Sequence, residues 1–238
     1  MKVISFSLWG NNPKYVIGAI RNAELARQIY PDWKCMFYFG RSVDRHSRFE
    51  ILNKCEASSV IISTDGDWRM MFDRFRPIAE EDDVDVMISR DCDSRLSARE
   101  KKAVDEWLLS DKGFHIMRDH PYHSVPILGG MWGMKKGTVP HFKELMEAWP
   151  KEDRLQTDQE FLAQKIWPIV KDDAIIHDGF YSHVWGGIPF PTNRRDLEFV
   201  GEVFDENDKP NQDHKYALSQ YLKGHGEPIR QLPEDLFE

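Results

Sequence analysis

The chain has 238 residues, enough for one large domain or two small ones, and 41% of them are hydrophobic. Its formal net charge of −8 lacks the basic excess of most nucleic-acid-binding domains, so we expect no nucleic-acid partner. No apolar run reaches about 18 residues, and the first apolar run is too short for a signal peptide. The three cysteines lack zinc-like spacing, which favours a reducing compartment. We therefore expect a soluble cytoplasmic protein without a membrane span.

The first half of the sequence alternates strand-like and helix-like segments. An apolar strand over residues 2–8 leads to Asn12 and Pro13, which are typical of a helix N-cap and first turn. Further strands are predicted at residues 35–39, at residues 59–63 and in the apolar run that ends at Asp91, with helices at residues 45–53 and after Asp67. This alternation predicts a parallel α/β sheet, in which ligands bind beyond the carboxyl ends of the strands.

The second half continues the same pattern less regularly. Two capping boxes, Ser97 to Glu100 and Thr157 to Glu160, predict the starts of two helices. Strands are predicted at residues 114–117, 127–134 and 174–176. From residue 189 onward the chain is richer in Pro, Asp, Asn and Lys, so we expect loops and a short tail rather than a second domain.

Two carboxylates follow the fourth predicted strand. Asp91 and Asp93 are separated by one residue, so in an extended chain their side chains point the same way, with α-carbons about 6–7 Å apart. Both can then reach one hard divalent cation, directly or through water. A short D-x-D pattern is also common in turns and helix caps, but its position after an apolar strand of an α/β alternation favours the metal site.

Five segments in order resemble the GT-A glycosyltransferases, enzymes that use nucleotide sugars and carry a D-x-D motif. These segments are FSLWGNN at residues 6–12, RDCD at 90–93, GGMWG at 129–133, TDQEF at 157–161 and HDGF at 177–180. The chain is similar to small glycosyltransferase domains, including those of large algal viruses, over residues 1–200. The resemblance implies a single α/β domain of GT-A (Rossmann-like) type, with a mixed, mostly parallel sheet flanked by helices. Residues 1–96 would form a nucleotide-binding half, 97–200 a sugar and acceptor half, and 201–238 a tail.

The resemblance implies that Asp93 binds the metal most directly and that Asp91 shares the site. A late histidine often completes such a site, and His177, directly after a predicted strand, is the first candidate, with His183 as its competitor. Either histidine could equally be a surface or interior residue. Because imidazole suits Mn²⁺ better than Mg²⁺, a histidine ligand would favour Mn²⁺ as the cofactor over Mg²⁺.

The resemblance also implies a nucleotide site over the first loop, at Ser7, Leu8 and Trp9. Tyr15 is a candidate for stacking on the base, although a core position on the first helix is nearly as plausible. Asp65 could accept a hydrogen bond from a uracil-type ring or simply form a turn. The arginines near this edge are Arg41, Arg74, Arg76 and Arg90. Arg90 is the strongest candidate for binding the nucleotide because it precedes the carboxylates, and Cys92 belongs to the same segment without a catalytic role.

Asp158 and Gln159 are the catalytic candidates that the resemblance implies. Asp158 could contact sugar hydroxyls or act as a general base, and Gln159 could lie near the anomeric carbon. An acidic residue in a first helical turn also has a purely electrostatic explanation. Gly129 and Gly130 would let the backbone approach the sugar, and Trp132 would be either an acceptor platform or a core residue.

The predicted activity is metal-dependent transfer of a sugar from a nucleoside diphosphate donor, UDP-linked by preference, to a hydroxyl of a glycan or glycoprotein acceptor, in the host cytoplasm if the protein is viral. A retaining mechanism is slightly favoured because D-Q pairs occur in retaining relatives. The alternatives are a phosphohydrolase that uses Asp91 as nucleophile, a sugar-nucleotide pyrophosphorylase, and an inactive glycan-binding module. The pyrophosphorylase would need a Gly-rich, Arg-containing first loop, which residues 6–15 lack.

Overall fold

A seven-stranded sheet forms the centre of the protein in the computed structural model, which describes residues 1–55, 57–227 and 230. In this part of the chain the strand order is β3-β2-β1-β4-β6-β5-β7. Strand β6 runs antiparallel to β4 and β5, and the other neighbouring pairs are parallel. The predicted α/β class with a mixed, mostly parallel sheet is therefore confirmed. The strands are Lys2–Leu8 (β1), Lys34–Phe39 (β2), Ala57–Ile61 (β3), Val86–Ser89 (β4), Phe114–Arg118 (β5), Trp132–Lys135 (β6) and Ala174–Asp178 (β7).

Helices cover both faces of this sheet. A 3₁₀ helix at Trp68–Phe75 precedes α3, and a π-helical turn at Leu162–Ile166 joins α6 to α7. The α-helices are Pro13–Ile29 (α1), Arg45–Lys54 (α2), Arg76–Glu80 (α3), Ala98–Leu109 (α4), Phe142–Ala148 (α5), Thr157–Phe161 (α6), Trp167–Val170 (α7), Ser182–Trp185 (α8) and Gln212–His225 (α9). None of the helices in the described part of the chain has the length and apolar character needed to cross a bilayer.

The two faces of the sheet bury two separate hydrophobic clusters. Side chains alternate along a strand, so Val3 of β1 joins one cluster, whereas Ile4 and Phe6 join the other. The first cluster packs against the 3₁₀ helix, α3, α5 and α6, and the second packs against α1, α2 and α4. Because both faces are covered, nearly all residues of β1, β2, β4 and β5 are buried, as expected for a largely parallel sheet.

The predicted start of α1 is confirmed. The side chain of Asn12 accepts a hydrogen bond from the backbone N–H of Lys14 at 3.1 Å, and Pro13 occupies the first turn. Ser97 caps α4 through the N–H of Glu100 at 3.2 Å, as one half of the predicted capping box requires. These local signals fix where both helices begin.

Two predicted elements have different boundaries in the structure. The N-cap residue of helix α6 is Gln156, and the predicted cap by the side chain of Thr157 is not formed. The hydroxyl of Thr157 instead accepts a hydrogen bond from the N–H of Glu152 at 3.4 Å. Strand β6 begins only at Trp132. Gly129 packs against the buried Asp158 and its carbonyl accepts a hydrogen bond from the hydroxyl of Ser89 at 2.7 Å, and Gly130 packs against Asp91.

The segment after residue 200 was expected to be loops and a tail, but it contains helix α9. Leu218 of α9 is fully buried against Phe180 and Phe199, which explains why the segment folds back onto the body. The carboxylate of Asp208 also binds Arg95 at 2.8 Å and Arg21 at 3.0 Å. Residues 231–238 of the predicted tail lie outside the described residues. The single sheet spans both predicted halves, whose separate roles stay predictions.

Helix α1 lies so close to the loop after β4 that Gly18 has no room for a side chain. A β-carbon at Gly18 would overlap the backbone carbonyl oxygen of Cys92. We expect Gly18→Ala to lower the free energy of unfolding by about 1–3 kcal/mol, although alanine is the better helix former. Gly224→Ala in α9, where the space is open, should instead raise it by up to about 1 kcal/mol. Urea denaturation of both variants measures the difference, and equal stabilisation by both would contradict the close packing.

Candidate functional site

A cavity of about 670 Å³ opens at the carboxyl ends of β1 and β4. The chain leaves β1 towards β2 on one side of the sheet, whereas β4 lies on the other side of β1. This reversal of strand order creates the crevice in which ligands of open α/β sheets bind. The cavity also has the size of a small-molecule site, so it is the candidate functional site.

Two hydrogen bonds hold the loop that carries the aspartates against β1. The N–H of Arg90 donates to the carbonyl of Ser5 at 3.1 Å, which extends the pairing of β4 with β1 up to the loop that carries the aspartates. The thiol of Cys92 donates to the carbonyl of Ser7 at 3.4 Å on the same edge.

The walls of the cavity combine aromatic, apolar and charged side chains. The lining residues are Ser7, Leu8, Trp9, Gly10, Asn11, Asn12, Tyr15, Trp68, Met71, Arg74, Asp91, Cys92, Asp93, Leu155, Gln159 and Val203.

Arg74 joins two carboxylates at the floor of this cavity. Its guanidinium is 4% exposed and donates to Asp91 through Nη1 and to Asp158 through Nη2, the latter at 2.7 Å. Burial by itself would lower the pKa of Arg74, but the two carboxylates raise it, so the side chain stays charged. Burial also raises the pKa of Asp158, which Arg74 opposes. The pairing fixes Asp91 from below while leaving 38% of its side chain exposed to the cavity.

Two consecutive glycines make room for this arrangement. A β-carbon at Gly129 would overlap Oδ2 of Asp158 and Nη2 of Arg74, and one at Gly130 would overlap Oδ2 of Asp91. The glycines had been expected to admit a sugar. In the structure their close neighbours are the carboxylates themselves, so their contribution to the site is indirect.

Asp93 has a different partner from Asp91. Its carboxylate lies 2.7 Å from Nζ of Lys14, and the side chains of Asp93 and Lys14 are 19% and 29% exposed, respectively. Burial and the nearby Asp91 raise the pKa of Asp93, while Lys14 opposes that shift. The backbone carbonyl of Asp93 also accepts from the N–H of Phe204 at 2.9 Å. The segment around residue 203 therefore closes one side of the cavity.

The structure brings together most of the residues named from the sequence. Cavity-lining positions are occupied by Ser7, Leu8, Trp9, Tyr15, Asp91, Cys92, Asp93 and Gln159. Asp158 lies immediately behind them, with no exposed surface and no position in the lining. Three other candidates, Asp65, Arg90 and His177, lie elsewhere.

His177 lies on β7, three positions along the sheet from β4. It is fully buried, and its ring nitrogens contact His115 at 2.8 Å and Glu106 at 2.9 Å. Both nitrogens are thus engaged by side chains remote from the aspartates. His183 is exposed on α8. Within the described ranges, no three His, Cys, Asp or Glu side chains are grouped to hold a metal ion.

Arg90 points into the core, away from the cavity lining. Its Nε donates to Glu100 at 3.0 Å, its Nη1 donates to the carbonyl of Ser89 at 2.7 Å, and it is 2% exposed. Tyr30 donates to the same Glu100 carboxylate at 3.0 Å. The geometry therefore gives Arg90 a structural role at the α4–β4 contact.

Asp65 and Trp132 are also outside the lining. The carboxylate of Asp65 is 79% exposed and lies 3.7 Å from Arg41. Its neighbour Gly66 packs against Trp9, so Asp65 stands near the rim of the cavity. Trp132 is fully buried and stacks on Phe114 with ring centroids 5.3 Å apart, which makes it a core residue rather than a platform for an acceptor.

Several residues of the cavity wall were not predicted from the sequence. Trp68 packs edge-on against Trp9 with ring centroids 5.7 Å apart, and Met71 follows on the same 3₁₀ helix. Leu155 and Val203 come from distant segments whose position depends on tertiary packing. Arg74 was among the four arginines named from the sequence near this edge, and in the structure it is the one of the four that pairs with Asp91.

Comparison with known proteins supports the fold and leaves the activity open. No protein-family model matches the sequence, and no curated protein sequence matches it. Among solved structures, a glycosyltransferase involved in glycosylation of the major capsid of PBCV-1 superposes with a TM-score of 0.50 at 16% identity, over 74% of this chain and 81% of that one. The mannosyltransferase PcManGT from Pyrobaculum calidifontis, in complex with GDP-Man and Mn²⁺, gives 0.50 at 15% identity, over 74% of this chain and 54% of that one.

A third structure shares the fold over more of the chain. The 4-diphosphocytidyl-2C-methyl-D-erythritol synthase from Anaerococcus prevotii DSM 20548 superposes with a TM-score of 0.50 at 11% identity, over 93% of this chain and 95% of that one. The fold is therefore the GT-A-like α/β sheet that the sequence resemblance implied. Because the identities are so low, the function has to be argued from the site.

The buried Arg90–Glu100 pair provides a test of which arginine serves the site. We expect Glu100→Gln to lower the free energy of unfolding by about 3–5 kcal/mol, because it leaves Arg90 buried without its counter-charge. If the sequence prediction of a UDP and Mn²⁺ site holds, the affinity of the folded variant for that ligand should stay within about twofold of wild type, since the pair does not touch the cavity. Denaturation and calorimetry measure the two quantities. An affinity weakened by about tenfold or more would return Arg90 to the nucleotide site.

Proposed function

We propose that this chain is a metal-dependent glycosyltransferase that transfers a sugar from a nucleoside diphosphate donor, UDP-linked, to a hydroxyl of a glycan or glycoprotein. The observation that carries the proposal is the pair Asp91 and Asp93, which faces an aromatic-walled cavity at the point where the strand order reverses. The Pyrobaculum mannosyltransferase, solved with GDP-Man and Mn²⁺ on a similar fold, supports the same class of donor and metal.

The donor set fits a divalent cation. Asp91 and Asp93 offer carboxylate oxygens, which Mg²⁺ and Mn²⁺ prefer, and such ions commonly complete their shell with water and substrate phosphate. Burial, and after it the charge of Asp91, raises the pKa of Asp93, so a divalent cation bound at this carboxylate would favour its charged form. When bound, the cation would act as a Lewis acid on the departing diphosphate. A protein-derived third ligand such as His177 is not required by this scheme.

The remaining residues of the site would contact different parts of the donor or hold those that do. Trp9, Tyr15 and Trp68 offer ring surfaces for the base and ribose. Arg74 holds Asp91 in a fixed orientation, which keeps the carboxylate ready for the cation. Gln159, which also lines the cavity, would contact the donor sugar near its anomeric carbon. For UDP, the proposal includes a hydrogen bond that the carboxylate of Asp65 accepts from the uracil ring, since Asp65 lies near the rim beside Trp9.

Asp158 would support the site through Arg74 rather than act as a general base. Its carboxylate has no exposed surface, and Oδ2 is committed to Arg74. Its Oδ1 has no hydrogen-bond donor among the described residues, so a direct role would need the cavity floor to open. Without an accessible base at this position, we propose the retaining path, in which the leaving phosphate can accept the proton of the acceptor hydroxyl.

The phosphohydrolase alternative fits the geometry less well. It needs Asp91 as a nucleophile, yet one oxygen of Asp91 accepts from the buried guanidinium of Arg74, which withdraws the negative charge that the attack would use. The sugar-nucleotide pyrophosphorylase alternative is supported by the fold that this chain shares with the Anaerococcus synthase. It still lacks the Gly-rich, Arg-containing loop after the first strand, where this chain has Trp9 to Asn12. A glycan-binding module would not need the paired carboxylates.

Calorimetric binding of UDP with and without Mn²⁺ tests the proposal. We expect binding that depends on Mn²⁺ and that weakens at least about tenfold in Asp93→Asn, because losing even an outer-shell partner of a metal site has such an effect. Asp105→Asn is the matched control, since Asp105 forms an ion pair with Lys101 on the surface of α4. Its affinity should equal that of wild type.

Other outcomes of the same experiment point to the alternatives. Wild-type protein that binds no UDP under either condition would refute the proposal. Release of phosphate from simple phosphomonoesters would then favour the phosphohydrolase, and glycan binding without metal-dependent nucleotide binding would favour the binding module.

The role of Asp158 can be separated from that of a base by steady-state kinetics, once a donor sugar has been found by a screen. We expect Asp158→Asn to raise the Kd for UDP–Mn²⁺ by about tenfold, because Arg74 loses one partner and Asp91 loses its fixed position. A fall in kcat of about a hundredfold or more with an unchanged Kd would instead identify Asp158 as the general base.

A further inference from the structure

Lys14 places a positive charge against the second carboxylate of the D-x-D pair. It is the second residue of α1, directly after Pro13, and its Nζ lies 2.7 Å from Oδ2 of Asp93. Although burial disfavours the charged form, the contact with Asp93 raises the pKa of Lys14, so the ammonium persists. The neighbouring Tyr15 lines the cavity, and Nζ of Lys14 lies 5.1 Å from the centre of the Tyr15 ring.

The charges around the cavity floor do not balance for an anionic ligand. The connected groups are the carboxylates of Asp91, Asp93 and Asp158 and the cations Arg74 and Lys14, which leaves one net negative charge. A nucleoside diphosphate adds further negative charge at the same place. Because like charges in a partly desolvated site repel strongly, the ligand needs both an added cation and a free protein cation.

Arg74 and Lys14 differ in their freedom to respond. Arg74 is 4% exposed and bonded to two carboxylates, so it is fixed. Lys14 is 29% exposed, has a single carboxylate partner at a direct contact distance, and carries its charge on a flexible stem. A divalent cation on Asp93 would displace the ammonium from that carboxylate, and a diphosphate on the cation would offer it new oxygens.

We propose that Lys14 exchanges partners as the donor binds, leaving Asp93 to the divalent cation and binding the diphosphate of the nucleotide. This inference rests on the proposed function and adds a diphosphate-binding residue to it. The exchange has two opposite consequences. Lys14 competes with the metal for Asp93 while no nucleotide is bound, and it strengthens nucleotide binding once the metal is in place.

The test measures both affinities in Lys14→Met. Mn²⁺ binding without nucleotide, followed by electron paramagnetic resonance, should become at least about threefold tighter because a competitor is removed. UDP binding at saturating Mn²⁺, followed by calorimetry, should become about tenfold weaker, because a charge-assisted hydrogen bond is lost. Lys14→Arg keeps the charge and should recover most of the UDP affinity.

Lys101→Met is the matched control. Lys101 also pairs with an aspartate, Asp105, at 25% exposure, and its Nζ lies 5.5 Å from the ring centre of Tyr30. Neither affinity should change in this variant. Lys14→Gln serves as a second neutral variant if Lys14→Met folds poorly.

Opposite shifts of the two affinities support the exchange, because a merely structural lysine would move both in one direction or neither. Unchanged or weaker Mn²⁺ binding in both neutral variants, or unchanged UDP affinity, overturns it. If wild-type protein itself shows no Mn²⁺-dependent UDP binding, the proposed function fails first, so the two failures are distinguishable.

Discussion

The buried guanidinium of Arg74 is the constraint on which the candidate site depends. Its single positive charge offsets one of the two negative charges of Asp91 and Asp158, and without it the fully buried Asp158 would lose its ion-pair partner. A buried ion pair of this kind contributes little net stability, so its value lies in the orientation that it imposes. Gly129 and Gly130 complete the arrangement by leaving the space that the carboxylates occupy.

The topology of the sheet explains why this floor lies under a cavity. Strands β1 and β4 are parallel neighbours, but the chain continues from them in opposite directions across the sheet, so their following loops diverge. The loop after β1 supplies aromatic and amide side chains, and the loop after β4 supplies the carboxylates. The fold alone is shared by glycosyltransferases and by a diphosphocytidyl synthase. The pair of carboxylates on that edge is what favours sugar transfer.

Local and periodic signals predicted the succession of strands and helices along the chain well and the burial of individual residues poorly. The apolar run before Asp91 and Asp93 and the alternation of elements were sufficient for the fold class and for the edge that carries the site. Arg90 and His177 were misplaced because their partners, Glu100 and His115, lie on elements that only tertiary packing brings near. The same applies to the walls from residues 155 and 203, for which no local pattern exists.

Anomalous diffraction from Mn²⁺ in crystals grown with UDP tests the central claim most directly. We expect an anomalous peak between the carboxylates of Asp91 and Asp93, with the diphosphate on the same ion and the uracil against the aromatic wall of the cavity. A peak remote from these aspartates, or UDP bound elsewhere on the protein, would contradict it.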